Sequence, residues 1–489
     1  MILALLALPT AAALAAYFMR ADAPRRWLLV LAAVLHAALT AATWVTRAAP
    51  VASGWLALDA PGQLFLSITS VLFLMAAGYG VGYLRREHRG ARTDFVEGLL
   101  FANAPEATFT ACLLLFLAAM TLVCVSHRFG LLWVGIEATT LTSAPLIYFH
   151  RHHRSLEATW KYLMICSVGI ALALLGNFFL TVAASNADGT VVPLILEDLV
   201  RSASRLHVLW LRAAFLLFLV GYGTKMGLAP LHTWLPDAHS EAPSVVSALL
   251  SGALLNCAFL GILRLQQVCV AAGEAAFGQE LLVGFGLLSM AVAAVFVLGQ
   301  PDYKRMLAYS SVEHMGILTL GVGLGGAATF GAMLHAVNHS LTKAMLFLVA
   351  GNILATYQSK STADVRGVLR ALPVSGLLWL TGLFAITGSP PFGAFLSELT
   401  IFKAALDHGR VVVAIAYLVL LALIFVGMAT AMLQMAQGPA DAPARRRGDT
   451  EPWLTIAPPA VLAAVVLGLG LYVPDAVRQV LEHAARAFG

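Results

Sequence analysis

Long runs of apolar residues dominate the chain, and short polar segments separate them. Marking every run of about 18 or more apolar residues gives fourteen segments, each long enough to cross the hydrocarbon core as an α-helix. They begin near residues 1, 27, 62, 109, 129, 162, 209, 243, 279, 305, 328, 374, 411 and 453. The pattern predicts an all-α polytopic membrane protein with about fourteen transmembrane helices, called spans 1 to 14 below.

The composition supports a membrane protein. Of 489 residues 60% are hydrophobic and 11% are charged, against about 25% charged in a soluble domain. No connection between spans is long enough for a separate soluble domain. The run from Met1 to Met19 has no basic residue before it and no clear small-residue cleavage site, so we expect a retained span and not a signal peptide.

The basic residues predict an orientation. Of 30 Lys and Arg, 18 lie in or beside the loops that follow spans 1, 3, 5, 9, 11 and 13. Because basic loops stay in the cytoplasm, we expect these loops to be cytoplasmic and both termini to lie outside. The net charge of +5 and the pI near 9.0 mostly reflect this topology.

Several classes of function are disfavoured by the sequence. A nucleic-acid partner would need a basic face with interleaved aromatic residues, and none is visible. The five cysteines form no CxxC pair, so we expect neither an iron–sulfur cluster nor a structural zinc in this chain. Since no nucleophile elbow, phosphate-binding loop or dinucleotide fingerprint occurs in a plausible context, we predict no catalytic or cofactor-binding residue.

An internal repeat divides the chain. Spans 4–8 and 9–13 each carry an acid in their second span and a Pro/Gly-interrupted fourth span, so spans 7 and 12 are predicted to be broken helices. Because five is odd, the second set enters from the opposite side and the repeats are inverted. The predicted units are a three-helix segment (1–100), a first repeat (101–265), a second repeat (279–437), and a loop with span 14 (438–489).

Ionisable residues inside the spans carry the functional prediction. A charge at the bilayer centre costs at least about 2.5–3.5 kcal/mol, so such residues face the protein interior and usually have partners. Lysine, glutamate and histidine placed in this way can move protons or small cations. The predicted translocation residues are Glu137, Glu157, Lys161, Lys225, His232, His239, Glu313, His335, His339, Lys343, Glu398 and Lys403.

Structural alternatives exist for several of these residues. Lys225 is read as a switchable proton site, with snorkelling as the alternative, and Pro230 and Pro236 are expected to unwind its span. Glu157 and Lys161 have the i,i+4 spacing of a plain surface salt bridge. Glu398 and Lys403 follow the second break, in GSPPFGAF.

The histidines leave more than one interpretation open. His335, His339 and Lys343 share one helix face, which suits a hydrated relay, while satisfied packing and a haem or metal site are the alternatives. The group His232, Asp237 and His239 fits loop capping or proton access better than a metal. Glu313 and His314 are adjacent in sequence, so they are expected to point in different directions and not to form one site.

Five stretches carry a family resemblance. WVGIEATTLTSAPLI, EATWKYLMI, TKMGLAPLHTWLPDAHSEAPSVVSALLSG, DYKRMLAYSSVEHMGIL and HAVNHSLTKAMLFL resemble the antiporter-like membrane subunits of respiratory complex I, Mrp cation/proton antiporters and membrane-bound hydrogenases. The wording SSVEHMGI and LLSGALLNCA is most similar to hydrogenase-4 component F, which accompanies group 4 hydrogenase or formate hydrogenlyase modules.

The resemblance implies roles and partners. It implies that Glu137 and Lys225 form the switching pair, that His335 and His339 line a central axis with Lys343, and that Glu398 is the terminal acid. It also implies a non-catalytic subunit of a bacterial cytoplasmic-membrane complex, working with other antiporter-like subunits and with soluble redox subunits that carry NiFe and iron–sulfur centres. No role follows from it for Lys403.

The sequence departs from the family pattern in two places. Span 8 commonly carries a bridging Lys or His, but here it offers only Asn256 and Cys257, which puts a direct relay between the halves in doubt. The chain also stops after span 14, without the long lateral helix of the largest complex I homologue.

Three functions therefore follow from the sequence. The leading one is a proton-translocating subunit of a redox-driven complex. The alternatives are a subunit of an Mrp-like cation/proton antiporter without redox partners, and a membrane scaffold for a soluble enzyme or an energiser of inorganic-carbon uptake.

Overall fold

The computed structural model describes residues 1–46, 48–87, 90–95, 97–185, 189–438 and 451–488. The amino-terminal segment contains α1 (Ile2–Phe18), α2 (Asp22–Val45), α3 (Ala60–Arg86) and an antiparallel hairpin of β1 (Arg92–Thr93) and β2 (Leu100–Phe101). The next elements are α4 (Glu106–Val125), α5 (Phe129–Ile147), α6 (His153–Ala183), α7 (Leu196–Arg201), α8 (Val208–Met226), α9 (Trp234–Glu241), α10 (Ser244–Leu249) and α11 (Leu255–Ala271).

The second half of the chain is also built of helices. Its elements are α12 (Ala275–Val297), α13 (Tyr303–Leu324), α14 (Ala327–Tyr357), α15 (Val368–Ala371), α16 (Pro373–Ile386), α17 (Gly393–Asp407) and α18 (Val411–Ala436). After the predicted loop, most of which lies outside the described residues, come α19 (Trp453–Leu471) and α20 (Asp475–Arg486). The domain boundaries given above remain a prediction.

The helices match the predicted membrane segments. In the described ranges, eleven helices are long and apolar enough to cross a membrane, and α1 and α16 are shorter apolar helices. Helix α13 has 22 residues and carries several ionisable side chains. Together these helices coincide with the fourteen predicted segments, which confirms the all-α membrane fold.

Both predicted helix breaks are present. Helix α8 ends because Gly227 adopts φ 86°, a left-handed conformation that glycine adopts without steric cost. The chain becomes helical again at Trp234, whose indole Nε1 donates to the carbonyl of Thr224 at 2.8 Å. In span 12 the helix stops at Ile386 and restarts at Gly393. At each break, backbone N–H and C=O groups inside the bundle lie outside the helical hydrogen-bond pattern.

Span 8 contains a feature that the sequence pattern does not predict. Between α10 and α11, residues Leu250–Leu254 form one π-helical turn. All residues of this turn are buried. Such turns re-aim side chains within an otherwise regular helix. Here the turn brings Ser251 Oγ to 2.8 Å from Ser311 Oγ of α13.

The carboxyl terminus ends in a helix beside the bundle. Helix α20 packs against α3 and α14 through Leu481 and Ala484, and Phe488 is buried just beyond it. Its other face carries charged side chains. This short amphipathic helix follows the last span and was not among the fourteen predicted segments.

An ion pair fixes the start of α3 to span 8. Asp59 is the N-cap of α3 and accepts from Gly62 N at 3.0 Å. Arg264 of α11, which is buried, binds both Asp59 oxygens, with Nη2 donating to Oδ1 at 2.7 Å. Burial raises the pKa of Asp59, but Arg264 and His127 outweigh burial and hold the pKa of this carboxyl well below its usual range.

Asp59→Asn is expected to destabilise the protein. Because it leaves Arg264 buried and unpaired, we expect a loss of about 2–3 kcal/mol, below the ~3–5 kcal/mol of a fully buried pair. The lowered pKa means that this stability is present at neutral pH and is lost only as the pH falls below about 4. Thermal unfolding in detergent measures the loss. The control is Asp475→Asn, since Asp475 is 70% exposed, and an equal shift in both variants would contradict the expectation.

Candidate functional site

Lys225 lies at the last turn of α8, directly before the first break, and is fully buried. Its Nζ donates to Thr140 Oγ1 of α5 at 2.9 Å and to Tyr162 OH of α6 at 2.5 Å. Nζ also lies 4.3 Å from the centroid of the Tyr162 ring. The ammonium group is therefore held by neutral oxygens and an aromatic face and makes no direct ion pair with a described residue.

Glu137 reaches Lys225 through a hydroxyl group. Thr140 Oγ1 donates to Glu137 Oε2 at 3.2 Å while it accepts from Lys225 Nζ. The pair inferred from sequence is thus connected through one intervening oxygen. A hydroxyl that accepts on one side and donates on the other can pass a proton between two titratable groups.

Thr140→Val is expected to slow proton transfer without unfolding the protein. Valine has a similar size but cannot join the two charged groups. A hydrogen bond to a charged group contributes about 1.5–3 kcal/mol, so we expect a fall of about 10-fold or more in proton flux. Flux in reconstituted vesicles measures it. The matched control is Thr139→Val, because Thr139 donates only to the Ile136 carbonyl, at 2.6 Å. Equal flux in the two variants would exclude a role for the hydroxyl.

A second constellation lies in the second half of the chain. His314 Nδ1 of α13 lies 2.8 Å from His335 Nε2 of α14, and His335 Nδ1 lies 2.9 Å from Ser397 Oγ of α17. The ring centroids of His314 and His339 are 4.8 Å apart. Ligand atoms of His314, His335 and Glu398 all lie within 4.8 Å of one another. These residues are buried.

Lys343 is tied to the same neighbouring helix. Its Nζ donates to the Leu307 carbonyl at 2.6 Å and to Ser310 Oγ at 2.8 Å. Glu313 lies near enough for its charge to act on Lys343. His335, His339 and Lys343 therefore all face α13, as their spacing predicts.

His314 was not among the predicted translocation residues. Glu313 and His314 do point to different partners, as expected for neighbours on a helix. His314 nevertheless joins the histidine cluster, and the signal for it was a second ionisable residue in the same buried span.

Neutral polar groups connect the two halves. Asn256 Nδ2 of α11 donates to Ser340 Oγ of α14 at 2.7 Å, and Ser251 meets Ser311 as described above. The position where a basic residue was expected is thus filled by an amide and hydroxyls. No buried charge of span 8 bridges Lys225 and Lys343 in the part of the chain that the structure describes.

Three predicted residues lie at the surface. Lys161 Nζ contacts Glu157 Oε1 at 2.6 Å and Asp237 Oδ2 of α9 at 3.0 Å, so this pair extends to the broken span. Lys403, expected inside the bundle, is 72% exposed and pairs with Asp407 at 2.5 Å. Lys403 follows the second break in sequence, but its side chain points away from the interior.

The two histidines of the first break are buried. His239 Nδ1 lies 2.8 Å from the Leu235 carbonyl, a helix-internal contact, and the ring of His232 packs near Tyr309. Asp237 binds Lys161 and Arg305 instead of either histidine. This arrangement favours the capping interpretation over a metal.

Sequence reasoning missed a polar cavity of about 640 Å³ beside the end of α9. Buried Lys304 donates from Nζ to the Ser240 and Ala242 carbonyls at 2.9 and 2.7 Å. Lys360 pairs with Glu241 at 2.9 Å. His150 lines the cavity and hydrogen-bonds with Tyr83 OH at 2.9 Å, and burial holds the pKa of His150 well below its usual value. The polar side chains that line this cavity therefore bind the C-terminal end of α9.

The fold and these side chains define a polytopic membrane protein with titratable residues along its interior, centred on two broken helices. Residues 126–424 match the family described as "NADH:quinone oxidoreductase/Mrp antiporter, TM", and the chain belongs to that family.

The sequences and structures of known proteins support this assignment. The chain is 37% identical over 376 residues to a hydrogenase-4 component F homolog of Methylacidiphilum infernorum (isolate V4), covering 76% of this chain and 77% of that one. It spans 55% of the length of several other relatives. Two solved structures are similar. A chain of the archaeal membrane-bound sulfane sulfur reductase has TM-score 0.85 and 21% identity, covering 100% of this chain and 97% of that one. A chain of respiratory complex I from Thermus thermophilus has TM-score 0.77 and 25% identity, covering 96% and 97%. The chain is thus an antiporter-like membrane subunit homologous to subunits of complex I and hydrogenase-4.

Proposed function

We propose that this chain conducts protons as a membrane subunit of a redox-driven, multisubunit complex. The observation that carries the proposal is the buried Lys225, linked through Thr140 to Glu137 beside a broken helix. A buried lysine keeps or releases its proton according to whether a carboxylate is near. A small movement of α8 against α5 would therefore switch its proton affinity.

The proposed path runs from the first repeat to the second. A proton leaving Lys225 passes Asn256 and Ser340 to Lys343 and Glu313, with water filling the steps that side chains leave open. It then reaches the cluster of His314, His335 and His339 and ends at Glu398. Support for this order comes from the contacts of Asn256 with Ser340 and of His314 with His335.

The driving reaction is proposed to lie in partner subunits. We place NiFe and iron–sulfur centres in soluble redox subunits and expect other antiporter-like subunits beside this chain. The proposed location is the bacterial cytoplasmic membrane with both termini outside. The relative named above as a hydrogenase-4 component supports this type of assembly.

Affinity purification in gentle detergent tests the proposal. We expect nickel, iron and iron–sulfur subunits to co-purify with the tagged chain from its host, and an untagged host is the control. Small hydrophobic antiporter subunits without metal, together with sodium-dependent proton flux in vesicles that lack a reductant, would overturn it in favour of an Mrp-like antiporter. Unchanged activity after joint neutralisation of Glu137, Lys225 and Glu398 would instead favour a scaffold.

A further inference from the structure

We propose that His314, His335 and Glu398 form a binding site for a divalent transition-metal ion, best suited to Zn²⁺, whose occupancy blocks proton passage. The site is inhibitory and differs from a resident cofactor site. The blocking effect rests on the proposed function, whereas metal binding does not.

Three helices bring the ligands together. His314 lies on α13, His335 on α14 and Glu398 on α17, and their ligand atoms lie within 4.8 Å of one another. Nitrogen and oxygen ligands of tetrahedral Zn²⁺ lie about 2.0–2.2 Å from the ion and hence roughly 3.3–3.6 Å from each other. His314 Nδ1 and His335 Nε2 are 2.8 Å apart. Small side-chain rotations therefore convert the existing cluster into a coordination site.

Several buried polar atoms of the cluster have free coordination capacity. Among the residues that the structure describes, Glu398 Oε1 is buried without a hydrogen-bond partner. His314 Nε2 and both ring nitrogens of His339 make no hydrogen bond of good geometry, although the backbone of Ile386 lies near His314 and that of Ser251 near His339. An unpartnered buried polar group costs about 1–3 kcal/mol. Water or a cation would satisfy these atoms. His339 is close enough to serve as a fourth ligand, because its ring centroid lies 4.8 Å from that of His314.

Ser397 fixes the orientation of His335. Its hydroxyl donates to the Ala394 carbonyl at 2.8 Å, so the same oxygen accepts from His335 Nδ1 at 2.9 Å. The proton of neutral His335 is therefore on Nδ1, and Nε2 offers a lone pair towards His314. Holding one ring nitrogen in this way is how proteins prepare a histidine for a metal.

The donor set selects the class of ion. Imidazole nitrogens with one carboxylate suit Zn²⁺ and similar transition metals, while Mg²⁺ and Ca²⁺ prefer oxygen ligands alone. Binding displaces the proton that His314 and His335 share, because a metal-bound nitrogen has no lone pair left for a proton. A cluster occupied by the ion cannot relay protons.

Metal titration of the purified full-length chain in detergent tests the site. Co²⁺ serves as a spectroscopic substitute, since its visible absorption reports tetrahedral nitrogen and oxygen ligands, and calorimetry measures Zn²⁺ affinity. We expect one site, and about 10-fold or greater loss of affinity in His314→Gln and in Glu398→Gln. The control is His483→Gln on the exposed face of α20. Unchanged affinity in both ligand variants would overturn the site.

The Ser397→Ala variant separates a loss of metal binding from a loss of folding. It keeps all three ligands but frees the His335 ring, and loss of such an orienting partner typically lowers metal affinity about 10–100-fold. The expected result is weaker binding with an unchanged thermal unfolding midpoint. Binding as tight as in the unaltered chain would contradict the orientation argument and the site with it.

Proton flux in vesicles of the unaltered complex tests the blocking effect. We expect Zn²⁺ to inhibit flux at the concentration at which it binds the purified chain, and EDTA to restore it. Binding without inhibition would keep the metal site and reject the blocking effect. Absence of flux even without metal would count against the proposed function alone.

Discussion

Replacing Lys225 with alanine is expected to abolish partner-driven proton translocation while the complex still assembles. Lys225 is the buried lysine at the first break, and among the described residues Thr140 links it to Glu137. Loss of a positioned proton-transfer group typically costs about 100-fold to 10,000-fold in rate. We therefore expect flux to fall by about 100-fold or more. The uncharged side chain also removes a desolvation cost, so the fold should tolerate it.

Proton uptake by inverted vesicles, driven by the electron donor of the complex, measures this effect. Lys403→Ala is the matched control, because it removes a lysine that is 72% exposed and whose ion-pair partner among the described residues is Asp407. Lys403→Ala should leave flux unchanged. Full flux in Lys225→Ala would show that protons do not pass through this lysine.

Gly221→Val is expected to prevent stable assembly of the first repeat. Helices α6 and α8 cross so closely at Gly221 that a Cβ there would lie 2.6 Å from the Gly169 carbonyl oxygen and 2.7 Å from Ala173 N. These are backbone atoms, so the helices themselves must separate. Overpacking costs about 1–3 kcal/mol where side chains can shift, and we expect at least about 3 kcal/mol here. Lys225, one turn further along α8, would lose its contact with Tyr162 of α6.

Fluorescence-detected size exclusion and thermal unfolding in detergent measure this effect. Gly284→Val provides the control, since nothing lies within 4 Å of a Cβ at this exposed position of α12. A Gly221 variant as stable as the Gly284 variant would mean that α6 and α8 do not pack this closely in the membrane.

The sequence predicted the fold well where the physics is local. Apolar run length follows bilayer thickness, so the fourteen segments could be placed directly. The first break was visible because Pro230 cannot donate a helical hydrogen bond. Pro236, which was also expected to unwind the span, lies instead in the first turn of α9, where a proline is tolerated, and Gly227, which ends α8, was not singled out from the sequence. Lys225 stood out because a charge in an apolar run demands a partner.

What the sequence could not predict depends on which helices become neighbours. Thr140 and Tyr162 look like ordinary helix residues until α5, α6 and α8 meet around Lys225. His314 gains its meaning only when α14 brings His335 to it. The prediction that Lys403 lies inside the bundle was wrong, because its position in the sequence does not show which side of α17 faces the interior. The π-helical turn of span 8 could not be predicted, because it does not change the pattern of apolar residues.

The contacts that Lys304 and Arg305 make with α9 have a consequence for biosynthesis. This helix has eight residues, about 12 Å of rise, too short to cross a membrane by itself. Its final carbonyls are bound by Lys304, and its Asp237 by Arg305. Both partners are translated more than 60 residues later. The second part of span 7 can therefore contact Thr224 and Lys161 of the first repeat as soon as it is made. It gains its contacts with Lys304 and Arg305 only after span 10 has been inserted, so the first repeat acquires its full set of contacts only once the ribosome has begun the second.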